Sequence, residues 1–225
     1  MPHGVIEGDA LGNIAVVAHV LLAIVITIGG PLQLCLGALI TGKARVMRNP
    51  AIRRWTTSIH HWNGRIYIAT AFVMSISGLY MVWSRGVVGG VGLSISINGI
   101  LIMICAVMVV RYAMAGDIKT HLRWALRLFL VVSGVWFFRI GLMLWMHINK
   151  GPAGFDPQTF QGPFLTFLGF AQYLIPLAVL EVYFVAKDRA GARGKLAIAG
   201  GLFILTLATG VGIYMASMNM WLPRL

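Results

Sequence analysis

Residues 14–40 read IAVVAHVLLAIVITIGGPLQLCLGALI, and the run contains no Asp, Glu, Lys or Arg. A helix rises ~1.5 Å per residue, so ~20 apolar residues suffice to cross a ~30 Å hydrocarbon core. This run is longer than that and apolar on all sides, which reads as a membrane span rather than a surface helix with one greasy stripe. Working outward, five more segments qualify: Trp62–Trp83, Leu93–Tyr112, Leu122–His147, Phe164–Ala186 and Leu196–Trp221. The expectation is an all-α integral membrane protein, a single domain over residues 1–225 built as a bundle of six transmembrane helices.

Composition agrees. The chain has 225 residues, 59% of them hydrophobic and 11% charged, with a mean hydropathy of +0.84. A soluble domain carries roughly a quarter charged residues. The net charge of +12 would suit a nucleic-acid partner, but its distribution has a simpler cause. Lys43, Arg45, Arg48, Arg53, Arg54 and Arg65 follow the first span; Arg111, Lys119, Arg123 and Arg127 follow the third; Lys187, Arg189, Arg193 and Lys195 follow the fifth. Only Arg85, Lys150 and Arg224 fall on the other side, and Arg139 lies within a span. The positive-inside rule then places both termini outward and the basic loops in the cytoplasm, so the expected location is the bacterial inner membrane, multi-pass, with both ends periplasmic. The partners implied are the lipid bilayer and other membrane subunits; nucleic acid is not among them. No basic n-region precedes the first span, so it is expected to be retained rather than cleaved. Cys35 and Cys105 fall inside spans and are poor disulfide candidates.

Local signals refine the spans. Pro31 should kink the first helix and Pro176 the fifth. Asn49-Pro50 reads as an N-cap and first helical residue of an Arg-rich amphipathic turn before the second span, and Asp117 as the N-cap of the fourth. The segment Asn149–Pro163, with Gly151-Pro152 and Asp156-Pro157, should be a turn-rich outer cap.

Ionisable residues in or beside spans are functional candidates by default. His60 and His121 are expected near the cytoplasmic ends of two parallel spans. At ~100° per residue, Arg139 shares a face with His121, eighteen positions earlier. Facing lipid, Arg139 would be very costly, so it should face the bundle, with His19, Asn98 and Gln172 at matching depth. Below His60 run Gly64, Ala71 and Gly78; below His19 run Ala23, Gly30, Gln33 and Gly37. Small residues on such faces fit close helix packing. They also leave room for a flat cofactor beside an imidazole. The Ala208, Gly212, Ala216 stripe of the last span is accounted for by packing alone.

One set of phrases carries a resemblance: Gly30-Pro31-Leu32-Gln33, His60 with Gly64-Arg65-Ile66-Tyr67, Gly116-Asp117-Ile118 with His121, Arg123-Trp124 and Arg127, then Arg139. They resemble a bacterial family of predicted multi-span membrane proteins of unknown function (domain of unknown function 2306). The likeness covers most of spans one to four, includes His19, and departs at His61, where an Arg is more usual. It implies the fold and marks the polar residues, and it carries no activity. A looser architectural likeness is to transmembrane b-type cytochromes.

Four chemistries are open. The first is a b-type haem-binding electron-transfer protein, an oxidoreductase if it is an enzyme. His60 and His121 would be the iron's axial ligands, Gly64 would make space, and Arg65, Arg123 and Arg127 would bind propionates. His19 and Arg139 would form an outer site for a second haem or a quinone, and Gln33, further along the His19 face, is another cofactor-binding candidate. The second is copper handling by Met143, Met146 and His147, with Met215, Met218 and Met220 at the neighbouring span end, since thioethers suit Cu(I). The third is a non-catalytic subunit or assembly factor of a respiratory complex. The fourth is small-molecule transport along the proline-broken first span. Against all four stands the plain alternative that each histidine bonds backbone or lipid phosphate and each methionine fills core. No P-loop, dinucleotide fingerprint, zincin motif or hydrolase elbow is present.

Overall fold

The computed structural model describes residues 7–42, 45–84, 86–87 and 89–222. Lys43, Arg85 and Arg224, which entered the reading of direction, lie outside them. Among the described residues seven helices follow one another: α1 (Ala10–Thr41), α2 (Pro50–Ser84), α3 (Gly89–Met114), α4 (Ile118–Val132), α5 (Gly134–Ile148), α6 (Pro163–Arg189) and α7 (Ala192–Ala216). A 3-10 turn, Arg45–Arg48, precedes α2, and a π turn, Ser217–Trp221, follows α7. Among the described residues there is no strand, only one isolated bridge between Asp156 and Gln161. Among the described residues five helices are long and apolar enough to cross a membrane, or up to six if the bent pair α4 and α5 counts as one.

That last pair departs from the sequence expectation. Leu122–His147 is not one helix. It breaks at Ser133, and the two halves are bent by 48°. The eighteen-residue periodicity linking His121 to Arg139 therefore does not carry across. Pro31 and Pro176 lie within α1 and α6, and neither helix is interrupted there. A Ser-Gly pair, weak in helix propensity and lacking bulk, breaks the chain here instead. Glycine at 134 is also needed for space, because a Cβ there would stand 3.2 Å from Asn98 Nδ2 and 3.4 Å from Gln172 Oε1.

The second departure concerns His60. Asn49 does cap α2, its Oδ1 accepting from the N–H groups of Ala51 (3.0 Å) and Ile52 (3.4 Å). No boundary separates that Arg-rich stretch from the span, so α2 is one helix of 35 residues and His60 sits within it. His121 does lie in the first turn of α4, where Asp117 Oδ1 accepts from Thr120 N–H at 3.0 Å.

The chain divides into two compact units. One comprises Val87–Asn98 and Leu130–Leu225. Its core is Leu142, Leu165 and Leu168, on which Phe138, Met143 and Met146 pack. The 149–163 segment is folded down by the stacked Trp145 and Phe164 rings (4.3 Å between centroids) and by Trp145 Nε1 donating to the Ala153 carbonyl at 2.8 Å. In this unit α7 packs through Gly212, where an added Cβ would overlap Ile140 of α5. The other unit, Pro2–Gly86 with Gly99–Phe129, is organised by the α1–α2 seam and carries the candidate site.

Candidate functional site

The α1–α2 seam is built from glycine. Gly29 and Gly30 of α1 are buried, as are Gly64 and Ala71 of α2. An added Cβ at Gly30 would come within 3.2 Å of both Tyr67 and Phe129. At Gly64 it would come within 2.8 Å of Gln33 Nε2, so this glycine clears the path of a side chain from the opposite helix. The space expected for a porphyrin at Gly64 is thus occupied by Gln33.

Four hydrogen bonds cross the seam. Asn63 Nδ2 donates to the Gly29 carbonyl (2.9 Å) and to Gln33 Oε1 (2.8 Å). Gln33 Nε2 in turn lies 3.3 Å from His60 Nε2. Further along, His19 Nδ1 lies 3.1 Å from Ser77 Oγ, whose own proton goes to the Met74 carbonyl at 3.0 Å, so the histidine donates.

The first three set the polarity of His60. A carbonyl only accepts, so the Asn63 amide nitrogen must face Gly29, and the same nitrogen then donates to Gln33 Oε1. Gln33 is left with its amide nitrogen toward the imidazole, so His60 Nε2 accepts and Nδ1 carries the proton. That Nδ1–H is buried and has no hydrogen-bond partner among the described residues. A donor in that state costs ~1–3 kcal/mol.

His121 carries its proton on the same nitrogen, but there the proton has a partner and Nε2 is the nitrogen left over. Its Nδ1 is 3.0 Å from the Val109 carbonyl. The carbonyl requires a donor, so the proton sits on Nδ1 and Nε2 keeps its lone pair. A ring nitrogen tied to a backbone carbonyl is the usual support for an imidazole that ligates through its other nitrogen.

Both histidines line one cavity of about 480 Å³, within the ~300–1,000 Å³ of small-molecule sites. Gln33, Gly64 and Arg65 also line it, and Tyr67, Leu128 and Phe129 contribute its apolar wall. Sequence reasoning thus brought together His60, His121, Gln33, Gly64 and Arg65. It missed Asn63, whose position three residues after His60 on a helix was a usable signal, and it missed the Val109 carbonyl, which no side-chain pattern reveals.

The remaining candidates fall elsewhere. Arg123 and Arg127 are not among the residues lining the cavity, and the Arg127 guanidinium lies over the Trp124 ring at 4.9 Å. His19 holds its own place on the seam, against Gly78. Arg139 belongs to the other unit and is exposed. Its expected partners are engaged with backbone, Asn98 Nδ2 with the Val131 carbonyl (3.2 Å) and Gln172 Nε2 with the Gly169 carbonyl (2.8 Å). The bundle-facing hub expected of Arg139 is therefore corrected: the bend at Ser133 removes the shared face, and the two amides serve helix carbonyls. Met143 and Met146 pack on the leucine core, as filler does, while His147 is exposed. The Met220 side chain lies outside the described residues.

Among the described residues no group of three His, Cys, Asp or Glu side chains is placed to hold a bare metal ion. No known protein family, no curated protein and no solved structure matches the chain.

Proposed function

We propose that the chain is a multi-pass protein of the bacterial inner membrane, with both termini outward, and that its cavity holds a b-type haem serving electron transfer. One observation carries this reading: two imidazoles line a single apolar cavity, and the His121 ring is braced through Nδ1 by the Val109 carbonyl. Two protein ligands at most are too few for a bare ion, but enough for a metal that brings four ring nitrogens of its own. When bound, the group supplies an iron that cycles between ferric and ferrous states.

The residues fit the group unequally. His121 would hold the group through Nε2, since its Nδ1 is already committed to the Val109 carbonyl. His60 would not, because its Nε2 already accepts from Gln33 and its Nδ1 carries the proton. His60 is therefore assigned as a hydrogen-bonding wall of the cavity, held by Asn63 and Gln33, and not as a second iron ligand. Arg65 lines the cavity and suits a carboxylate such as a propionate. A quinone between His19 and Arg139 has no such support, since His19 is engaged with Ser77. The family likeness noted in the sequence stands beside this reading as a proposal and adds no activity to it.

The test is a visible spectrum of the purified chain, oxidised and then reduced by dithionite. A Soret band that disappears in His121→Ala and survives, shifted, in His60→Ala is the expected result. Loss of the band in both variants, with folding intact, would return His60 to the role of ligand. A colourless wild-type protein reconstituted with haemin would end the haem reading.

A second reading has its own observation. In α7 only Gly212 and Ala216 are buried, and nothing lies within 4 Å of a Cβ built at Gly200, Gly201 or Gly210. Exposed glycines on a membrane helix suit close contact with another helix, as in a subunit of a larger complex. Purification in mild detergent with stoichiometric partner chains, and without bound haem, would favour it.

A further inference from the structure

Beside the cavity, an open hollow of about 820 Å³ lies at the start of α2. Arg48 of the 3-10 turn lines it together with Arg53, Arg54, Thr57, Ser58 and His61 of α2, and no carboxylate does. The intervals of four residues from Arg53 to Thr57 to His61, and from Arg54 to Ser58, place these side chains in adjoining rows on one helix face. The helix terminus itself is not the attraction. Its first N–H groups are taken by Asn49, through Oδ1 for Ala51 and Ile52 and through the carbonyl for Arg53. What remains is guanidinium, whose planar donors match phosphate oxygens.

A second, independent feature says where phosphate would come from. On the same stretch of α2, Trp55, Ile59, Trp62 and Ile66 are exposed, the two tryptophans by 71% and 61%. Their spacing of four, three and four residues forms one stripe. Exposed indoles on an apolar stripe are the signature of a helix turn at the membrane–water boundary, where the ring body meets acyl chain and the N–H meets headgroup. The arginine-lined hollow is therefore level with lipid phosphates.

We propose that this hollow binds the phosphate of an anionic phospholipid. Arg48, Arg53 and Arg54 supply charge-assisted hydrogen bonds, and the Thr57 and Ser58 hydroxyls supply neutral ones. An anionic headgroup is selected over a zwitterionic one because nothing acidic in the hollow receives a choline or an amine. The site does not depend on the content of the haem cavity, although Thr57 and His61 line both.

Native mass spectrometry of the full chain, released from nanodiscs of mixed phosphatidylglycerol and phosphatidylcholine, tests this. Wild type should retain phosphatidylglycerol. The triple variant Arg48→Gln, Arg53→Gln, Arg54→Gln should retain at least about tenfold less. A control triple in the basic segment at the α6–α7 junction, Arg189→Gln, Arg193→Gln, Lys195→Gln, should retain the wild-type amount. Should the first triple fail to fold by circular dichroism, Arg54→Gln alone is read, with a smaller loss expected. Equal retention in a folded Arg48/Arg53/Arg54 variant overturns the site. Displacement of the lipid by excess inorganic phosphate overturns the lipid as its occupant and assigns a soluble phosphate instead.

Discussion

Two regions of this molecule place amides in apolar surroundings, and they use them differently. At the break between α4 and α5, Asn98 donates to the Val131 carbonyl and Gln172 to the Gly169 carbonyl. A helix that ends inside a bundle leaves its last carbonyls without intrahelical donors, and in lipid such groups must be met internally. Asn98 meets that need. At the α1–α2 seam, α1 is continuous through Gly29, so no break has left its carbonyl in want of a donor. The relay from Gly29 through Asn63 and Gln33 ends instead on His60, in the wall of a cavity. The first network completes a helix end. The second fixes which nitrogen of an imidazole carries a proton, a property that matters to a ligand more than to a fold.

Substitutions can break this contrast. The largest stability effect is expected at Gly64. A leucine there must displace Gln33, because even a Cβ would stand 2.8 Å from its amide nitrogen. Overpacking of this kind costs ~1–3 kcal/mol, occasionally more. Denaturation in detergent should register it, and any cofactor spectrum should shift with it, since the relay is lost. A stable Gly64→Leu protein with an unshifted spectrum would show that Gln33 is not held as described.

Asn98→Leu sharpens the other side of the comparison. It removes the donor to Val131 and should cost ~1–3 kcal/mol for a carbonyl left unmet in an apolar setting. The cavity residues are untouched, so haem content and spectrum should match wild type. Gln33→Leu is its mirror: a smaller loss of stability, because Asn63 Nδ2 keeps the Gly29 carbonyl when Gln33 Oε1 is gone and the 3.3 Å contact with His60 is long for a hydrogen bond, together with a changed spectrum. If the two variants exchange phenotypes, the assignment of one network to fold and the other to function is reversed.

The legibility of these regions differs for a physical reason. The long apolar helices were readable because apolar length is a local property, and the caps at Asn49 and Asp117 because each involves neighbours in sequence. The break at Ser133 was missed although Ser-Gly stood in the sequence, because prolines at 31 and 176 drew the expectation of kinks and α1 and α6 run on unbroken through both. The pairing of His60 with Gln33 spans 27 residues. The glycine face predicted a close approach there, but not which side chain would fill the space. Arg139 failed because its face was projected along a helix that does not continue.

The smallest effect is expected at Asp117, and it carries a sign. The Thr120 hydroxyl, then the Thr120 N–H, hold this exposed carboxyl below its ordinary range. A carboxyl whose folded value is depressed contributes fully above its unfolded value, and the contribution fades as pH falls through the folded one. The first turn of α4, which positions His121, is thus firmest at neutral pH and loosens in acid. Asp117→Asn retains a capping oxygen without the titration, so it should flatten the acid limb of stability while leaving neutral behaviour nearly unchanged. Amide exchange at residues 118–121 reads this directly: protection that falls with acidity in wild type should fall less in the variant. Identical profiles would mean that the His121 turn is held by the Val109 carbonyl and packing alone, and that the cap is incidental to the site.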